Sequence, residues 1–365
     1  MKRVIPVLLA LVMLLAACGG DKAPETTEAS TAATTASTAA TEKETKPKED
    51  PASATVEVAE VYRHPLTGEI LDKPFTGRVF AVSNGNSEAA LPQYGLSHAD
   101  IVHEILAEGG TTRLAVLYSN PDEVPAIGSI RSTRMYLLDI GRAYNAIYTH
   151  CGTSKFADSY ISDHDIVHID AMYHNEFYRD QDRLNAGYDW EHTMFVHGED
   201  MVRLAAENGY DTEVPEGTTY GFNFTDEPVN LNGETANEIT LYFTGDARGK
   251  VTTMKYDEAT GNYHGFQWDQ DLIDGNDNSV VQFKNVFILQ VDTSVFSDGY
   301  HKKVDMHGDG DGWFACNGQI VPIQWHREGL EAPFTYTLAD GTPLEQNPGH
   351  NYIGFIPTYG AIEYE

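Results

Sequence analysis

Ser97-His98-Ala99-Asp100-Ile101-Val102-His103-Glu104-Ile105-Leu106-Ala107-Glu108-Gly109-Gly110-Thr111-Thr112-Arg113 is the stretch on which the fold turns. Ser97 stands where a helix N-cap would, with Asp100 three positions on, and Leu96 and Ile101 are spaced as a hydrophobic staple. Gly109-Gly110 supplies a stop. The spacing therefore predicts a helix that buries Ile101, Val102, Ile105 and Leu106. Asp100, Glu104 and Glu108 then share the opposite face at i, i+4 and i+8.

Working outward, His64-Pro65-Leu66-Thr67-Gly68 reads as a turn, and Arg78 to Ser83 and Leu114 to Tyr118 as strands. A second helix is expected to start near Ser129 to Ser132 and to carry Met135, Leu137, Leu138 and Ile140 inward. A strand from Ala146 to Thr149, a helix from Ser154, a strand from Ile166 to Ile169 and a late helix from Glu199 to Glu207 follow. Strands alternating with helices predict an α/β layer with a partly parallel sheet. From Glu238 the pattern changes to short alternating runs, with Asn317-Gly318 as a hairpin signal. The expected fold class is α+β overall: an N-terminal α/β layered domain over 58–215, a linker over 216–237, and a mostly-β C-terminal domain over 238–365, a sandwich or small barrel. Trp268, Trp313, Trp325 and Tyr352 are read as its core, with a glycan-binding surface as the alternative.

Residues 1–18 have a basic start, an apolar run too short for a membrane span, and Leu15-Ala16-Ala17-Cys18. This resembles a bacterial lipoprotein signal, with Cys18 as the lipidated residue and the membrane as partner through that lipid. Residues 19–57 are mostly Thr, Ala, Ser, Glu, Lys and Pro without an aromatic residue, a composition expected of a disordered tether. The formal charge of -31 argues against nucleic acid as a partner, because a phosphate backbone would be repelled by most of this surface. Besides Cys18 only Cys151 and Cys316 occur, so the fold does not rest on a disulfide framework.

On an acidic body a local positive patch carries information. Arg131 and Arg134 lie at or near a helix N-terminus, where free N–H groups favour an anion. Arg113 follows the Gly109-Gly110 turn, and Gly152-Thr153-Ser154 follows the strand that ends in His150. Strand ends that meet helix starts are where ligands sit in such sheets. Forked guanidinium groups suit a carboxylate or phosphate. The candidate ligand-binding residues are Arg113, Arg131, Arg134, Asp100, Glu104, Glu108, His150 and Ser154. A second reading pairs the arginines with the carboxylates as an internal salt-bridge network without a ligand.

Other constellations are read as structural. Cys151 beside His150 on a strand points to the other face, so the two make no catalytic pair. His164, His168, His174, His192 and His197 are read as solvated or hydrogen-bonded, Gly308 to Gly312 as a glycine turn instead of a calcium loop, and no metal or cofactor is expected.

The chain resembles the YerB-like lipoproteins of Gram-positive bacteria, a family of unknown function. The likeness rests on His64 to Gly68, Pro92-Gln93 with Gly95-Leu96 and Ala99-Asp100, Glu108-Gly109-Gly110 with Thr112-Arg113, and Ile127-Gly128 with Arg131-Ser132 and Arg134. It continues in His150 to Ser154, Lys284-Asn285-Val286, Gly308-Asp309-Gly310, Trp325 and Gly349 to Ile353. It implies a two-part lipoprotein and no particular activity. Glu191-His192-Thr193 and Tyr263-His264-Gly265 depart from the family's Pro-His-Asn and Tyr-x-Arg, so a ligand held through that arginine would be bound differently here.

The expected function is binding, by a membrane-anchored extracytoplasmic lipoprotein, of an anionic ligand or cell-wall component. One alternative is an envelope-acting hydrolase with Asp100, Glu104 or Glu108 as general acid or base near His150. The other is a scaffold that works through protein contacts alone.

Overall fold

Phe80–Gly85 (β1), Ile101–Leu106 (β2) and Thr112–Tyr118 (β3) lie side by side, β2 and β1 each antiparallel to β3. The helix expected across β2 is therefore a strand. Its residues are all buried and alternate between two apolar cores: Val102 and Leu106 on one side, Ile101 and Ile105 on the other. A strand covered on both faces reads as a continuous apolar run, which hides its period of two. The staple and cap signals serve other ends. Leu96–His98 is a single 3₁₀ turn, and Ser97 donates both its backbone N–H and its Oγ to Asp274 Oδ2, each at 2.9 Å. Gly109 and Gly110 turn the hairpin with φ of 73° and 75°, values that suit glycine.

In this computed structural model the described residues are 61–365 and the short strand Arg3–Val4. The rest of the expected signal, Cys18 and the tether over 19–57 lie outside them. Downstream of β3 come Met135–Ala143 (α1), Ile147–His150 (β4), Lys155–His164 (α2), His168–Asp170 (β5) and Gly198–Glu207 (α3). Helix α1 starts later than expected because residues 130 to 133 are extended. Their N–H groups go to Met194 O (Ile130, 2.8 Å), Ser83 O (Arg131, 2.8 Å) and Gly152 O (Thr133, 3.0 Å) instead of to a helix. β4 runs parallel to β1 and to β5.

The second half supplies Glu238–Tyr242 (β6), Val251–Asp257 (β7), Asn262–Gln267 (β8), Asn285–Val295 (β9), Gly308–Cys316 (β10), Gln319–Arg327 (β11), Asn351–Pro357 (β12) and Ala361–Tyr364 (β13). The N-terminal part thus mixes helices and strands, and the C-terminal part is mostly strands. β12 inserts between β9 and β2, parallel to both, with Asn351 opposite Asn285 on one side and Ile101 on the other. One sheet therefore runs β11–β10–β9–β12–β2–β3–β1–β4–β5 through both halves. A second sheet, β13–β6–β7–β8, contributes Ile239, Leu241 and Met254 to the core on one side; α1 contributes Leu137, Leu138 and Ile140 to the core on the other.

The β10–β11 hairpin turns at Asn317-Gly318, with φ of 49° and 72°, as expected of a primed turn. Gly308 to Gly312 is not a turn but the start of β10. A Cβ on Gly310 would lie 2.4 Å from the Trp325 indole, so glycine is there to let the ring lie flat on the strand. Trp325 and Tyr352 are buried, as core residues should be, and Cys151 and Cys316 are free thiols.

Candidate functional site

The carboxyl ends of β1, β4 and β5 and the start of β3 lie at one end of the sheet, and the extended segment 129–134 crosses them. Arg113 opens β3 opposite Ile105, on the α1 side of the sheet. Arg134 caps the start of α1. Glu108, from the β2–β3 turn, lies under both. Arg134 grips it with Nε to Oε1 at 3.0 Å and Nη2 to Oε2 at 2.9 Å, a two-pronged charge-assisted contact. Lys302 N adds a hydrogen bond to Oε1 at 3.3 Å. Burial raises the Glu108 pKa, but the hydrogen bond and charge of Arg134, then the charge of Arg113, bring it below the ordinary value.

Arg113 is treated differently. Its nearest carboxylate oxygen is Glu108 Oε2 at 4.0 Å, beyond hydrogen-bond reach, and its Nη1 is buried without a partner. Burial, then the like charge of Arg134, push its pKa down to about 10, and Arg131 adds to the repulsion. The group remains a cation at neutral pH. Tyr136, on the first turn of α1, places a second unpartnered buried group in the same field: its hydroxyl feels Arg113, Glu108 and Arg134. Arg131 reaches outward, with Nη2 to Glu191 Oε2 at 3.0 Å and Nη1 donating to His192 Nδ1 at 3.2 Å. The three expected arginines are thus neighbours, and the patch carries more positive than negative charge.

The carboxylates do not stay together as a helix would have held them. In β2 Glu104 pairs with Leu114 and faces away from Arg113, because successive strand residues alternate. It is the hub of a buried network. Thr112 Oγ1 (2.6 Å) and Asn86 Nδ2 (2.9 Å) donate to Oε1, Tyr352 OH donates to Oε2 (2.7 Å), and Thr252 Oγ1 lies 3.0 Å from both oxygens. Lys250, fully buried, sits 3.4 Å from Oε1, and burial lowers its pKa. This network joins the two halves of the chain. Asp100 lies at the other end of β2, where Oδ2 accepts from Ser119 N at 2.6 Å and burial raises its pKa to about 6. At about 3.3 Å of rise per residue, Asp100 is roughly 16 Å from the Arg113 level of the strand.

His150 and Ser154 have structural partners. His150 is buried, with Nδ1 3.0 Å from Gly152 O and Nε2 3.0 Å from His168 Nδ1, and burial pushes its pKa down to about 4. Ser154 caps α2, its Oγ accepting from Ala157 N at 3.2 Å. Among the described residues no group of three or more His, Cys, Asp or Glu is placed to hold a metal ion. Sequence reasoning missed Lys250, Tyr136 and Glu191. Lys250, between Arg248-Gly249 and Val251-Thr252, reads as an ordinary turn lysine, and none of the three had a local signal.

Comparison with known proteins agrees with this architecture. A family model described as "Protein of unknown function (DUF3048) N-terminal domain" matches residues 66–211, and its C-terminal counterpart matches 239–353. The chain is 25% identical over 319 residues to "Putative lipoprotein YerB" of Bacillus subtilis (strain 168), covering 84% of this chain and 90% of that protein. The crystal structure of YerB from Bacillus subtilis has the same fold, with a TM-score of 0.71 at 23% identity over 82% of this chain and 99% of that one. The matched segments are the two halves that β12 and β2 knit into one sheet, and with both present in order the chain belongs to the DUF3048 family of proteins of unknown function.

Proposed function

We propose that this protein is a lipid-anchored, extracytoplasmic binding protein whose Arg113 and Arg131, set in place beside Arg134, hold the anionic group of a cell-envelope ligand. The observation that carries the reading is the buried Arg113 Nη1 without a hydrogen-bond partner. A buried guanidinium donor left without a hydrogen-bond acceptor is costly even with a carboxylate 4.0 Å away, so a fold that keeps one gains when an anion fills the place. Arg134 is already occupied by Glu108 and orients the cluster, whereas Arg113 and Arg131 have capacity left. Support for the anchor comes from the lipoprotein form of the signal around Cys18 and from the likeness to the Bacillus putative lipoprotein.

Thermal unfolding of the full-length protein in detergent, titrated with inorganic phosphate and with lactate, tests the reading. Binding to the folded state raises the midpoint as ligand concentration passes the dissociation constant. The rise is expected for wild type and absent in Arg113→Met. A wild-type midpoint that moves with neither anion, or a rise of equal size in Arg113→Met, would sink the proposal.

A further inference from the structure

Beside the arginines the surface exposes large side chains: Trp190 is 62% exposed, Met172 60% and Tyr173 83%. Direct contacts join this rim to the arginine site. Arg179 stacks on the Trp190 ring, 4.2 Å from its centroid, and its Nη1 donates to Trp190 O at 2.7 Å. The indole is thereby held in place with its remaining surface open to solvent. The next residue, Glu191, pairs with Arg131. On the other flank Met172 Sδ lies 3.7 Å from Cys151 Sγ, and Cys151 N donates to Arg131 O at 3.0 Å.

We propose that this rim is a saccharide subsite: the ligand is an acidic sugar, with its carboxylate or phosphate on Arg113 and Arg131 and its ring stacked on Trp190. The inference rests on the anion-binding reading above and adds the class of molecule that carries the anion. A pyranose offers an apolar C–H face, which an exposed and immobilised aromatic ring is suited to cover, while a few polar groups set orientation. The exposed Glu191 carboxylate already sits on the mostly buried Arg131, so the guanidinium is positioned for an oxyanion, and Glu191 has solvent to swing into when one replaces it. The net charge of -31 repels polyanions and anionic bilayers, whereas a sugar with one negative group meets only the local positive patch.

The test titrates full-length protein in detergent with N-acetylmuramic acid (sugar and carboxylate), N-acetylglucosamine (sugar alone) and lactate (carboxylate alone), followed by calorimetry. Glucose 1-phosphate against inorganic phosphate repeats the comparison for the other anion. The acidic sugar of at least one pair is expected to bind about tenfold tighter than either of its parts. Trp190→Ala should bring it down to the affinity of the bare acid, and Arg113→Met should abolish both. Equal affinity for bare acid and acidic sugar, unchanged in Trp190→Ala, overturns the saccharide subsite and leaves the anion site standing. No binding of any acid overturns both.

Discussion

The Arg113 guanidinium stops 4.0 Å from Glu108 Oε2, while Arg134 closes on the same oxygen at 2.9 Å. One carboxylate thus serves two cations and satisfies only one. The two arginines, adjacent in space and alike in burial, should answer substitution in opposite ways.

Arg113→Met removes a buried charge that lacks a hydrogen-bonded partner and leaves Glu108 its grip on Arg134. Stability should rise by about 1 kcal/mol, together with loss of anion binding. Arg134→Met takes the two-pronged partner from Glu108, leaving only Lys302 N and the more distant Arg113, and should cost about 3 kcal/mol. Urea unfolding midpoints of the two variants check the contrast; a larger loss in Arg113→Met than in Arg134→Met would refute it.

Glu104 and Lys250 should be coupled. Glu104→Leu leaves the Lys250 ammonium buried without its counter-charge and is expected to cost about 3–5 kcal/mol. Lys250→Met should cost less, since Glu104 keeps Thr112, Asn86, Thr252 and Tyr352. The double variant should recover part of the larger loss. A double-mutant cycle with a coupling energy near zero would show that the ion pair is incidental.

Acid should destabilise the fold before the carboxylates titrate in bulk. Burial holds His64 and His150 at about 4 and His103 at about 3, below their unfolded value of 6.5. The unfolded chain binds more protons in that window. The stability these groups contribute is complete above pH 6.5 and declines as pH falls toward their folded values. Asp100, raised to about 6, works in the opposite direction between pH 6 and its ordinary value, as the folded state takes up the proton first. Three histidines against one aspartate give a net loss of roughly 2–3 kcal/mol per pH unit below pH 6. Denaturation midpoints at pH 7, 6 and 5 measure it, and a midpoint that climbs on acidification would contradict the sign.

Gly310→Ala places a methyl group 2.4 Å from the Trp325 indole and should cost about 1–3 kcal/mol through overpacking, with a shifted tryptophan emission. Calcium should leave the wild-type melting temperature unchanged, since the acidic glycine run is paired strand. A calcium-dependent rise would restore the loop reading.

How much of this could be read beforehand differs from place to place along the chain. The cap at Ser154, the inward stripe of α1, helix α3 and the turn at Asn317-Gly318 are local matters, settled by neighbours within a few positions. The arginines were legible as a group because each sits beside a turn or a helix start. The three carboxylates were not, because their grouping depended on the conformation of β2, and a run covered on both faces carries no period to measure.

The amino-acid sequence alone determined the short-range features: where helices are capped, where hairpins turn, and that cations gather in an otherwise acidic chain. Tertiary structure decided that β2 is extended, that Glu104 turns away to meet Lys250 from the other half, and that Arg113 is left without a hydrogen-bonded partner for its Nη1. The reason is that burial and pairing are set by segments as far apart as β2 and β12, and desolvation by those segments outweighs the fractions of a kcal/mol by which local preference separates helix from strand.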